Sequence, residues 1–192
     1  MALTTKLEAV NIMISVIGES PVNTLSGTSV PVTVTQAVHA LEETSKALQS
    51  EGWHFNTEYD YPLVPDSVTS RITLPVNTLK VDLDPEIYTD SDPVQRGLKL
   101  YDRKNHRDTW TKDLKAIITF ELDFEELPEQ FRHYIAVKSA RIFAARFLGS
   151  REIEGFALRD EIEAKARAIE SDSENADRTI FDNYSVLRVL DR

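Results

Sequence analysis

The sequence contains no cysteine, which excludes disulfides, cysteine-ligated zinc and thiol catalysis. Glycine is scarce, at 6 of 192 residues. Neither a P-loop nor a dinucleotide fingerprint occurs, so no glycine-rich cradle for phosphates is expected. Basic residues are in deficit: 22 Lys and Arg face 32 Asp and Glu, for a formal net charge of −10. A nucleic-acid reader needs a basic footprint to neutralise phosphates, and a protein held on anionic lipid needs a basic patch. The overall charge argues against both. His39, His54, His106 and His133 show no HxH or HExxH spacing, so no metal site is expected. Asp82-x-Asp84-x-Glu86 imitates the start of a calcium loop but lacks the glycine that must follow. No Gly-x-Ser-x-Gly elbow is present, and no cofactor is implied. No run approaches the ~20 apolar residues of a membrane span, and the start lacks a charged-then-apolar signal pattern. The expectation is a protein made in a cytoplasm-like compartment, with no membrane partner.

What is present is ordinary globular material, 41% hydrophobic and 28% charged, long enough to bury a core. Leu3, Leu7, Val10, Ile14 and Ile17 recur at helical spacing, widened by Met13 and Val16. Thr4 or Thr5 suits the cap, and Gly18 suits a left-handed stop before Ser20-Pro21. Residues 20–31 read as a loop. A second helix is predicted from Thr33 to Glu51, with Val34, Val38, Leu41 and Leu48 on one stripe and Gly52 as its stop. Its other face carries Glu42, Glu43, Lys46 and Gln49, the pattern of a solvated surface. The two helices look like an antiparallel pair.

At Gly52-Trp53-His54-Phe55-Asn56 the pattern changes. Five prolines and short runs of period near 2 follow as far as Glu126. Ile72–Leu74, Leu79–Leu83 and Leu98–Tyr101 are strand candidates. The strongest is Ala116–Phe124, in which Ala116, Ile118, Phe120, Leu122 and Phe124 point one way. Helical spacing returns at Leu127-Pro128-Glu129, with proline and an acid in the first turn. Phe131, Ile135, Ala136, Ile142, Phe143, Phe147 and Leu148 form its stripe, and Gly149 ends it. A fourth helix is predicted from Arg151 to Glu170, carrying Ile153, Phe156, Ala157, Ile162 and Ile169. Strands confined to one middle block predict an α+β fold. Its plan is an antiparallel helical bundle from both chain ends (1–52 and 127–172), an inserted small antiparallel β domain (53–126) and an extended C-terminal tail (173–192).

Two features suggest interfaces. Residues 95–115 carry seven basic groups (Arg96, Lys99, Arg103, Lys104, Arg107, Lys112 and Lys115) against three acidic ones, between acidic stretches at 82–92 and 121–129. Arg103, Lys104 and Arg107 on one side, and Glu121 and Asp123 on the other, are candidate intersubunit charge patches, since opposed charge sets docking register. An isolated solvated hairpin is the plainer alternative. The tail contains Ile180, Phe181, Tyr184, Val186, Leu187, Val189 and Leu190, too apolar for an idle terminus. It either folds back on its own core or inserts into a partner.

Four stretches in register carry a family resemblance. Leu127-Pro-Glu-Gln-Phe-Arg-His-Tyr-Ile135, continuing through Ala140-Arg141, Phe143 and Arg146-Phe-Leu-Gly149, resembles a helix signature of the tail tubular protein A family. These are the head-to-tail adaptors, or gatekeepers, of short-tailed phages (podoviruses). Ala9-Val-Asn11 with Ile17-Gly-Glu-Ser-Pro-Val22, Gly52-Trp-His-Phe-Asn56 and Leu100-Tyr-Asp-Arg103 agree in the same order, and Asn183-Tyr184 resembles part of the family's C-terminal segment. Residues 61–95 match poorly, which bears on any fibre-docking surface more than on the fold. The resemblance implies a structural virion protein, assembled as a homo-oligomer of twelve on the portal protein and above the nozzle, or tail tubular protein B. Tail fibres attach near that junction, and DNA passes through the lumen without specific binding. The C-terminal segment reaches toward the portal, which assigns Phe181, Tyr184 and Leu187 to that interface. No catalytic residue and no cofactor are implied. The competing class is a tail-borne polysaccharide hydrolase, which needs paired carboxylates in one cleft with one pKa raised. Glu121 and Asp123 are its candidates. A free-standing host-interaction module is a third.

Overall fold

A computed structural model describes residues 3–27, 30–148 and 151–176. Its helices are α1 (Lys6–Val16), α2 (Val32–Gln49), α3 (Glu129–Leu148) and α4 (Arg151–Asn175). Its strands are β1 (Thr57–Leu63), β2 (Thr78–Leu83), β3 (Pro93–Arg96), β4 (Lys99–Asp102) and β5 (Leu114–Phe120). The fold is α+β. The chain forms two compact units: a helical one, from the described residues up to Ser45 and from Phe124 onward, and a β unit, Lys46–Asp123. The division falls inside α2.

In the helical unit, α1 starts where the sequence allows. The Thr5 hydroxyl accepts from the Glu8 N–H, and the Glu8 carboxylate accepts from the Thr5 N–H, a reciprocal capping box. The Thr5 N–H foremost, and then the Thr5 hydroxyl, donate to the Glu8 carboxylate and hold its pKa below the ordinary value. At the other end Gly18 takes φ +82°, and the Gly18 and Glu19 N–H groups donate to Ser15 and Ile14 carbonyls. That Schellman closure is the stop expected from sequence. Leu3 precedes the cap and is exposed, so the buried face is Ala9, Val10, Met13 and Ile14. α1 packs on α3, and α3 on α4. α3 buries Phe131, Tyr134, Ile135, Ala136 and Phe143, and α4 buries Ala164 and Ala168.

Arg132, at the start of α3, is buried, yet its guanidinium faces carbonyls. Nε donates to Leu127 O at 2.7 Å, Nη1 to Thr4 O at 3.1 Å, and Nη2 to Glu125 O. One side chain thus ties the N-terminal segment, the 3₁₀ turn Phe124–Glu126 and the first turn of α3. α4 continues to Asn175, past Glu170 where the sequence reading ends it. Its final turns are polar, but Asp172 is buried and the Ser173 hydroxyl donates to Ile169 O, so composition alone misplaced the end.

In the β unit, β5 lies between β1 and β2, antiparallel to both, and β3 and β4 form a separate hairpin. The hairpin turns through Gly97 (φ +62°) and Leu98, with Arg96 opposite Lys99. A positive φ at the first loop position is what glycine supplies without a Cβ clash. β1 carries a bulge between Glu58 and Tyr61, with Asp60 at φ +55°. β1 and β3 were not expected from sequence, because β1 is charged and mostly exposed and shows no apolar alternation. Conversely, Ile72 and Leu74 make only isolated bridges around them (Arg71 with Thr109, Thr73 with Lys99), although both are buried. β5 stops at Phe120, four residues short of the Phe124 expected.

The core of this unit is Leu63, Ile72, Leu74, Val81, Leu83, Leu100, Trp110, Leu114, Ala116, Ile118 and Phe120. The Trp110 indole N–H donates to Leu100 O, and Tyr61 meets Phe120 edge-on at 5.5 Å between ring centroids. A polar knot closes the unit. Asn56, 2% exposed, donates to Gln49 O at 2.9 Å and Phe120 O at 2.8 Å, and accepts from Trp53 N–H at 2.8 Å. Gln49, 1% exposed, pairs with both backbone groups of Leu122. The sequence reading set Gln49 on a solvated face. It is buried because its amide completes the hydrogen bonding of a chain segment leaving the sheet.

Candidate functional site

The charged region of the β unit is organised around Asp102, the last residue of β4. Its carboxylate is fully buried and accepts from the N–H groups of Asp92, Lys104 and Asn105 and from Asn105 Nδ2. Burial pushes its pKa up, but the hydrogen bonds outweigh that, Asn105's side chain foremost, and hold it below the ordinary range. The Asp102 N–H also donates to Arg107 O, and the Arg107 N–H to Asp102 O. They close a loop of Arg103, Lys104, Asn105 and His106, with His106 at φ +53°.

The structure brings the candidates Arg103, Lys104 and Arg107 into this one loop, where Arg103 meets a carboxylate of the chain's own acidic stretch. Arg103 sets Nε and Nη2 on Asp92 Oδ2 at 2.7 and 2.6 Å. Lys104 Nζ donates to Thr89 O at 2.8 Å, and Asn105 Nδ2 to Asp90 O. Arg107 Nε stands 3.9 Å from Asp102 Oδ2. Part of the opposed charge legible in the sequence is therefore matched within the chain. Glu121 lies past the end of β5, where its carboxylate meets Lys46 at 3.1 Å and its N–H donates to Asn77 O. Asp123 closes the β unit.

The helical unit presents a second candidate surface, which sequence reasoning missed. Leu158, Ile162 and Ile169 of α4 are 45%, 60% and 44% exposed. Their spacing places them on one stripe, roughly a third of a turn from the Ala164 and Ala168 face that meets α3. Apolar periodicity was visible, but nothing in one sequence separates the stripe facing a neighbouring helix from the stripe facing out. Phe181, Tyr184 and Leu187 lie outside the described residues, as do Gly149 and the side chains of Leu148, Ile153, Phe156 and Ala157.

Among the described residues, no group of three or more His, Cys, Asp or Glu is arranged to hold a metal ion, and no helix is long and apolar enough to cross a membrane. A family model described as "Tail tubular protein" matches residues 7–178, taking in residues of both units. No curated protein is similar enough to count as a match.

Proposed function

The chain belongs to the tail tubular protein family, and on that premise we propose that it is the adaptor joining portal to nozzle in a short-tailed phage. The premise itself makes it a structural component of a phage tail. In the proposed reading, twelve copies assemble on the portal, the helical bundle (1–52 and 127–172) builds the ring, and DNA leaves through the lumen. The portal contacts the tail that follows α4 through Phe181, Tyr184 and Leu187, while tail fibres and tail tubular protein B engage the assembly elsewhere.

The observation that carries this reading is the extent of the family match, which takes in the β insertion as well as the helices. The exposed stripe on α4 supports it, because a heterologous ring needs one face of a copy to bury against a different face of the next. The charge of −10 supports a conduit in which the duplex does not stick to the wall. The charge patches enter in modified form: Arg103 and Glu121 hold partners in cis, so any intersubunit role requires those pairs to be shared or exchanged.

Mass measurement of the protein alone and mixed with portal tests the proposal. Twelve copies per portal ring is the expected result, and a monomer in the presence of portal would overturn it. Removal of residues 176–192, which leaves α4 intact, is expected to abolish docking while leaving the far-UV spectrum of the helices nearly unchanged.

A further inference from the structure

Beside the Asp102 loop lies a cleft of about 260 Å³ lined by Ile87, Tyr88, Asp90, Ser91, Arg107, Trp110, Thr111, Lys112 and Leu114. Its floor is apolar: Trp110 and Leu114 are buried members of the β-unit core, while Ile87 is exposed above them. Besides the Ser91 and Thr111 hydroxyls, three hydrogen-bond donors line it. Lys112 Nζ stands 5.5 Å from the Tyr88 ring centroid, and no carboxylate pairs with it among the described residues. Arg107 reaches its nearest carboxylate, Asp102, only through Nε at 3.9 Å, and Asp102 takes its hydrogen bonds from other groups. The Tyr88 hydroxyl accepts from the Lys115 N–H at 2.9 Å, which leaves its own proton to donate.

We propose that this cleft is a binding site for a single carboxylate carried beside an apolar side chain on an acidic segment of a protein partner. Three features select that ligand. Arg107 stands 3.9 Å from the buried Asp102 carboxylate, so Lys112 is the lining cation with no carboxylate partner among the described residues, enough for one carboxylate and too little for a phosphate chain. The volume suits one or two side chains, below the ~300–1,000 Å³ of sites for larger ligands. Trp110 is only 5% exposed, so little of its face is open for a sugar ring, whereas an aliphatic or aromatic neighbour of the carboxylate fits against Ile87. Asp90 on the rim disfavours a second acidic group close to the first and so sets orientation. The inference does not depend on the portal–nozzle reading, since it concerns the β unit alone.

The test is a titration of the full-length protein with a blocked tripeptide of aspartate between two leucines, followed by the Trp110 indole N–H resonance. The asparagine version of the peptide and galacturonate serve as comparisons. The expected result is saturable movement of that resonance, with the asparagine peptide and galacturonate each about tenfold weaker, the scale of losing one charge-assisted hydrogen bond. Lys112→Met keeps the aliphatic stem and is expected to weaken aspartate-peptide binding about tenfold without moving the resonance in the free protein. Tyr88→Phe is the second variant and is expected to weaken it by a smaller factor. Equal binding of the two peptides, galacturonate binding more tightly than the peptide, or unchanged affinity in both variants would each overturn the proposal.

Discussion

Replacing Asn56 with alanine should be among the most damaging single changes in the β unit. The side chain makes three hydrogen bonds, to Gln49 O, Phe120 O and Trp53 N–H, all at 2.9 Å or less and nearly out of reach of water. Each such bond contributes about 1 kcal/mol net, so the loss is about 3 kcal/mol. Both tryptophans of the chain, Trp53 and Trp110, lie within Lys46–Asp123, so fluorescence during guanidinium unfolding reports on this unit. With a slope of about 2 kcal/mol per molar, the midpoint should fall by about 1.5 M. Asn56→Asp separates hydrogen-bond chemistry from size. At neutral pH it sets a carboxylate oxygen against the Gln49 and Phe120 carbonyls and should cost more than alanine. Its folded pKa is then raised above the unfolded value, so the variant should regain stability as pH falls and the carboxyl becomes a donor. A midpoint shift under about 0.3 M for the alanine variant, or no acid recovery for the aspartate variant, would refute the reasoning.

Asp102 has the opposite pH sign. Its folded pKa is lowered, so its contribution is fully present above the unfolded value of about 3.9 and is lost as pH falls through the lower folded value. Asp102→Asn should therefore be less stable than wild type at pH 7, with the difference shrinking towards pH 2 in the same fluorescence assay. Arg132→Met keeps the buried stem but strips donors from three carbonyls. It should cost about 3 kcal/mol at about 1 kcal/mol per bond, read as an earlier loss of helical circular dichroism at 222 nm. Ile162→Asp on the exposed stripe of α4 should leave the monomer's melting temperature within about 2 °C while abolishing ring formation on portal, checked by native mass spectrometry.

The helices were legible because their signals are local. Thr5, Gly18 and Gly52 mark boundaries through bonds to residues three to five positions away, and the apolar faces repeat within one or two turns. The β unit was legible only where strands bury one face. β5 showed its alternation, but β1 did not, since its pairing with β5 depends on residues nearly 60 positions away. The same distinction explains Gln49: a polar residue on a helix reads as solvated until the chain that closes over it is known. The opposed charges of residues 82–92 and 95–115 were visible, but not that Arg103 and Asp92 belong to one chain's own loop packing.

The bulge in β1 has a consequence for how copies of this chain can stand close together. β1 is an edge strand, and an open edge is a template on which a second chain can add its own strand, the step that leads to fibrils. Here the edge carries Asp60 in a left-handed conformation, Pro62 without an N–H, and the charge of Glu58. No straight strand can run along it for more than a few residues. Crowded copies are therefore steered away from sheet extension, and association is left to side-chain surfaces, which can form and dissociate without locking the backbone.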